Sequence, residues 1–279
     1  MDREIVFSVL VILLAGAVLP FGTALALPVA HGGSATAAGR ELERAALRRL
    51  LLPLAPMTIV VSMLLGWAAA EPENSERLPW AAFVAAVPVL AVWMRAVQRA
   101  RKALAAPRVR TAAAVGLIHP CVVVAAHFAN AVDEDVLEAA LAHERAHVRR
   151  RDPLRIWLAQ IVTDLQWPFP GARERFVAWR AALELARDEE ARETVRGFDL
   201  AAAVLAAARL ERSTSPAVAG ISSADSRFEL RIHRLLSPVP PTSRDSRGLL
   251  VIGAATVLVA GAFFAGLTFG EAVVRHALG

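Results

Sequence analysis

The chain has 279 residues, 56% of them hydrophobic, and a mean hydropathy of +0.46, which excludes an ordinary soluble composition. The net charge is +5 and the pI near 10.9, but Lys102 is the sole Lys and there is no Tyr, so little titrates before very high pH and the basicity is no argument for nucleic acid. The single cysteine, Cys121, excludes an intrachain disulfide and fits a reducing compartment.

Four apolar stretches are candidates for membrane spans, which need about 20 residues each. The first, Ile5 to Ala30, carries no charge. Its "ALA" at 24–26 resembles a cleavage site, but Asp2, Arg3 and Glu4 precede it instead of a basic region, so it reads as an uncleaved span. Leu50 to Ala70 is the second, and Leu78 to Met94 the third, shorter and carrying Pro88 but anchored by Trp80 and Trp93. Gly248 to Gly270 is the fourth, and its "GLTFG" matches GxxxG, which would permit a homodimer. Arg40, Arg44, Arg48 and Arg49 follow the first span, the acidic "EPENSERLP" follows the second, and Arg95, Arg99, Arg101 and Lys102 follow the third. Arg244 and Arg247 precede the fourth. Every loop predicts the same orientation, with both termini outside and residues 95–247 in the cytoplasm.

The expected organisation is three transmembrane helices over 1–94, a cytoplasmic domain over 95–247, and a fourth span with a short tail over 248–279. Within the middle segment, "RVRTAAAVGLIHPCVVVAAHF" reads as a hairpin, with a strand at Val122–Ala126 after Pro120. "AVDEDVLEAALAHERAHVRRR" reads as a helix capped by Asp133, with Val136, Leu137, Ala140, Leu141 and Val148 on its apolar face. A second helix is predicted from near Pro153, and a third from about Arg173 to Arg196 after the break at "WPFPG".

On the first of these helices His143 and His147 fall one turn apart on one face, so both imidazoles can reach one metal ion. Glu144 beside them is placed as a general base, which completes the His-Glu-x-x-His arrangement in "HERAH". The plain alternative is two solvated histidines on a charged helix. Catalytic zinc takes three protein ligands and an open position. "LELARDEEA" offers Glu184 as the third and Asp188 as a carboxylate to orient a ligand imidazole, although spacing alone leaves a solvated acidic face equally open.

"EAALAHERAHVRRRDPL" followed by "ELARDEEA" resembles the membrane metallopeptidases of the BlaR/MecR type, whose pattern is H-E-x-x-H-x-x-R-x-D and then E-x-x-x-D. The likeness reaches "GLIHPCVVVAA" and "FELRIHRLL" and spans roughly residues 108–236. It implies a mainly α fold: a four-span helical membrane protein with an inserted α+β zincin-like (gluzincin) cytoplasmic domain. It also implies a Zn2+ site of His143, His147 and Glu184, with Glu144 as general base and Asp188 behind the ligands. Arg231 matches a recurrent arginine, read here as structural. Strand addition by substrate would fall to Val122, Val123 and Val124. Two departures stand out: Arg187 occupies a position where the family often has Cys, and the chain ends nine residues after its last span, which argues against an extracellular penicillin-binding sensor.

His119, His127 and His233 read as structural or surface residues, and Cys121 as a small buried hydrophobe. The "RRR" at 149–151 reads as a contact for anionic lipid. The expected function is a regulatory membrane zinc endopeptidase that cleaves a cytoplasmic protein such as a transcriptional repressor. Quality-control proteolysis of the HtpX type, or a zinc-bound scaffold that does not cleave, are the alternatives. Intact Glu144 argues against the scaffold.

Overall fold

The computed structural model describes residues 38–70, 109–166, 171–214, 223–238 and 256–268, with scattered positions between 87 and 102. Helix α1, Gly39–Leu51, lies where the sequence suggested a loop. Glu41 in its first turn and Arg48 and Arg49 in its last complement the helix dipole. Its inward face carries Gly39, Glu43, Ala46, Leu47 and Leu50, at helical spacing and with a carboxylate in the middle. A 3-10 turn, Leu52–Leu54, follows, since Pro53 has no N–H to continue the ladder. Helix α2, Ala55–Ala70, then runs for 16 residues.

The second apolar stretch is therefore divided. Leu50 is wholly buried with Ala159, Trp179 and Leu183 of the helices Asp152–Leu165 and Ala172–Ala191, a burial worth about 2 kcal/mol, and only α2 continues beyond the turn. No helix among the described residues is long and apolar enough to cross a membrane. The first stretch lies outside the described residues, and the third is described only at scattered positions. The fourth is described as helical residues 256–268, which pack closely on α2. Ser62 Oγ donates to Val259 O at 2.8 Å, and a Cβ on Gly66 would stand 2.0 Å from Phe263 O.

The expected hairpin forms, with β1 at Ala112–Val115 and β2 at Cys121–Val124, antiparallel in the register Ala112↔Val124 to Val115↔Cys121. Gly116, at φ 105°, allows the turn between them. A single helical turn, α3 at Ala126–Ala129, leads to α4, Glu134–Arg149. Asp133 occupies the N-cap position of α4 but makes no side-chain cap bond. The deeply buried face of α4 is Ala139, Ala142, His143, Ala146 and His147, while the expected apolar residues Val136, Leu137, Ala140, Leu141 and Val148 are only half-buried. The apolar stripe looked imperfect because the polar histidines share the deepest face.

Arg151 turns the chain in a left-handed conformation, φ 52°, and α5, Asp152–Leu165, starts at the next residue. Helix α6, Ala172–Ala191, starts from Gly171 at φ 76° and ends five residues short of the expected Arg196. There Thr194 Oγ1 donates to Ala191 O at 3.0 Å, and the Arg192 guanidinium donates to Arg234 O and Ser237 O, so these side chains serve helix ends. Helices α7, Gly197–Thr214, and α8, Ser223–Leu236, follow.

Two clusters of buried apolar residues hold the body together. One joins α1, α5 and α6 around Trp179, and the other joins α4, α6, α7 and α8 around Ala139, Leu200 and Leu235. Helix α6 takes part in both clusters and α4 in one, which fixes the groups on their facing surfaces.

Candidate metal centre

His143 and His147 of α4 meet Glu184 of α6. The two Nε2 atoms are 3.1 Å apart, and Glu184 Oε2 lies 3.4 Å from one and 3.7 Å from the other. A tetrahedral ion with bonds of about 2.0–2.1 Å has ligand edges of about 3.3 Å, so this triangle fits such an ion without rearrangement. Among the described residues it is the donor group found whose atoms all lie within 4.8 Å of one another. His119, His127 and His233 take no part in it.

Each imidazole has a carboxylate behind it. His147 Nδ1 donates to Asp152 Oδ2 at 2.9 Å, which turns its Nε2 lone pair toward the triangle. His143 Nδ1 lies 2.9 Å from Asp188 Oδ1, close but off the angle of a hydrogen bond. Arg231 of α8 grips Asp188 with Nε at 2.5 Å and Nη2 at 2.8 Å, while its Nη1 is 3.5 Å from Glu184 Oε2. That gives Arg231 a role the sequence did not: it anchors the carboxylate behind one ligand and neutralises the acids around it.

Asp152 was missed as a site residue, although the acid five positions after the second histidine stands in the motif. Arg187, the departure from the family pattern, is buried and donates to Asp152 through Nε and Nη2. The basic run is also engaged internally. Arg149 Nε and Arg150 Nε donate to Glu190 at 3.2 and 3.0 Å. Cys121 is exposed, because as the first residue of β2 its side chain falls on the solvent side of the alternation.

The charges of the cluster sustain one another. Burial would lower the His143 pKa, but the Asp188 and Glu184 carboxylates outweigh it and hold it up at about 9. His147 is raised against its own burial by Asp152 and Glu184. Burial would raise Glu184, yet the two histidines and Arg231 hold it well below the carboxylate range, and Asp152 is drawn down to about 2 against burial by His147 and Arg187. The surrounding carboxylates favour positive charge on the imidazoles, and a dication can supply that charge in place of protons.

Glu144 behaves differently, since burial raises its pKa and the two histidines only partly oppose this. Its Oε2 accepts the Ala114 N–H at 2.8 Å, which fixes the carboxylate at the edge of β1. Ala125 N donates to Thr111 O, so the alternation of the antiparallel ladder turns the backbone groups of Ala112 and Ala114 away from β2. The open edge of β1 therefore borders a cleft of about 290 Å³ lined by Thr111, Ala112, His143, Glu144, Glu184 and Arg231. Val122, Val123 and Val124 pair with the opposite edge of β1 and do not line this cleft.

The comparisons with known proteins give the family of the chain. Residues 48–235, well over half of the 279, match the family model described as BlaR1 peptidase M56. No curated protein and no solved structure shows a significant match. The matched segment holds both motif helices and all three donors, and the chain belongs to the BlaR1 peptidase M56 family of metallopeptidases.

Proposed function

We propose that the protein is an integral-membrane zinc endopeptidase with a regulatory role, whose peptidase body faces the cytoplasm and cleaves a cytoplasmic protein such as a transcriptional repressor. The observation that carries this reading is the Glu144 carboxylate, held by a strand edge beside a three-donor triangle and facing the same cleft. A structural metal has no need of such a group, which disfavours a scaffold that does not cleave.

Zinc, when bound, supplies a Lewis acid and brings the pKa of a water toward about 7. The chain's own groups do the rest. Glu144 has one oxygen fixed on Ala114 and the other available to take a proton and pass it to the leaving amine, and its raised pKa suits both halves of that transfer. An extended substrate adds to the open edge of β1, where the backbone groups of Ala112 are turned away from β2 and its carbonyl accepts only from the Thr111 hydroxyl, at 3.3 Å. This replaces Val122–Val124 as the substrate strand. Membrane residence is supported by the four apolar stretches, the Arg-rich segments beside them, and the close packing of α2 on residues 256–268.

The test is to compare new protein N-termini in cells that express wild type or Glu144→Gln, with both present in the membrane and loaded with zinc. The expected result is a set of fragments found only with wild type, reduced at least about a hundredfold in the variant. A repressor among them supports the regulatory reading, whereas membrane-protein fragments would replace it with quality control of the HtpX type. Identical profiles in the presence of an inducing signal would overturn proteolysis.

A further inference from the structure

Asp152 is wholly buried and has more partners than orienting one imidazole requires. Its Oδ2 meets His147 Nδ1 and Arg187 Nε, and its Oδ1 meets Arg155 Nη1 at 2.7 Å and Arg187 Nη2 at 3.3 Å. The same two guanidiniums continue to a second buried carboxylate, Glu43 of α1. Arg155 Nη2 donates to Glu43 Oε1, and Arg187 Nη2 lies 3.4 Å from Oε2. Two acids and two arginines thus alternate in a closed ring, with His147 attached at one corner. Glu190 also touches Arg187, but Arg40, Arg149 and Arg150 share it.

The ring is balanced only while Glu43 is present. Without it, two guanidiniums face one carboxylate and draw Asp152 away from His147 Nδ1. An uncompensated positive charge would then remain buried beside a site for a dication, which is costly. Both effects act against metal binding. Nor can α1 drift from the ring at no cost. Gly39 N donates to Glu189 Oε2 at 2.6 Å, and the backbone of Gly39 lies so near α6 that a Cβ would stand 2.8 Å from Ala186 N.

We infer that Glu43 and Arg187 are positioning residues of the metal centre, through which α1 sets how tightly His147 holds the ion. The inference rests on His143, His147 and Glu184 being the ligands. It gives the segment that leads into α2 a direct hold on the centre, since any displacement that withdraws Glu43 loosens Asp152 and then His147.

Zinc affinity of the full chain in detergent, measured by competition with a chromophoric chelator and without substrate, tests it. Asp152→Asn is expected to weaken binding about 10–100-fold, as for carboxylates behind metal ligands, and Glu43→Gln about tenfold. Arg187→Lys keeps the charge but loses the fork, and is expected to weaken binding as well, whereas Glu43→Asp restores most of the affinity. Glu43→Gln in an Asp152→Asn background should change affinity by no more than about twofold, because the relay is already cut. Wild-type affinity in both Glu43→Gln and Arg187→Lys would overturn the inference, and so would losses that multiply in the double variant. A wild type that binds no zinc would instead overturn the ligand assignment itself.

Discussion

The two imidazoles of the metal centre are supported in unlike ways. Behind His143, Asp188 is gripped by Arg231, whose guanidinium also lines the cleft and is about a fifth exposed. Behind His147, Asp152 is gripped by Arg155 and by Arg187, which has 2% of its side chain exposed, and then by Glu43 from the far side of the body. One support faces the space where substrate would lie, and the other lies away from that cleft and answers to α1. Two chemically similar carboxylate–histidine pairs are therefore open to different influences, one from the cleft and one from the segment joined to α2.

The largest expected effect would separate the two supports directly. Asp188→Asn and Asp152→Asn should both weaken zinc binding about 10–100-fold, with Asp152→Asn toward the upper end. Water from the cleft can replace a lost charge near Arg231, whereas Arg187, with 2% of its side chain exposed, gains nothing in exchange. Equal losses in a chelator competition would break the contrast.

A smaller effect concerns pH in the metal-free protein. His143 has its pKa raised from 6.5 to about 9, so the folded state binds this proton more tightly than the unfolded chain. The stabilisation is complete below pH 6.5 and is lost as pH rises through 9, a change on the order of 3 kcal/mol. Thermal melts of the metal-free protein should fall from pH 7 to pH 10, while zinc-loaded protein, with neutral imidazoles already required, should not follow. In Asp152→Asn the transition near pH 9 should persist, because it belongs to the other support. Its disappearance would show that the two are one unit.

The smallest is Gly39→Ala, which brings a Cβ within 2.9 Å of Ala186 Cα, where backbone cannot give way. A destabilisation of about 1–3 kcal/mol by thermal unfolding is expected. The accompanying loss of zinc affinity should be smaller than for Glu43→Gln, since α1 is strained but its carboxylate is still present. Unchanged unfolding would mean that α1 does not need this close approach.

The same contrast decides how much of the centre was legible in the sequence. The carboxylate behind His143 is written in helical spacing, His143 to His147 on one helix and Glu184 to Asp188 on another, although that period says nothing of the Arg231 grip on Asp188. The hairpin was equally plain from Pro120 and the apolar runs. The support of His147 depends on the left-handed corner at Arg151, which folds Asp152 back on its own ligand helix and which no spacing rule announces. Glu43 and Arg187 were hidden for another reason. A charged residue on a helix reads as solvated, and nothing in "RELERAALRR" marks Glu43 as the acid that turns inward. In the basic run at 149–151, Arg149 and Arg150 meet Glu190, a partner about forty residues on that the run itself does not announce. Whether β1 or β2 borders the cleft depends on which edge Glu144 meets, and that is fixed only by tertiary packing.

The separation of Glu43 from Arg187 along the chain, 144 positions, also sets an order in time. At translation rates of about 5–20 residues per second, the acid leaves the ribosome roughly 7–30 s before its buried arginine. For most of that interval α1 has a carboxylate on its packing face and nothing to neutralise it, since Arg155 also follows 112 positions on, so it cannot settle. Arg231, later still, completes the other half. A nascent chain thus has both histidines long before it has the means to hold a metal tightly, and the centre stays incomplete until Arg231 has emerged.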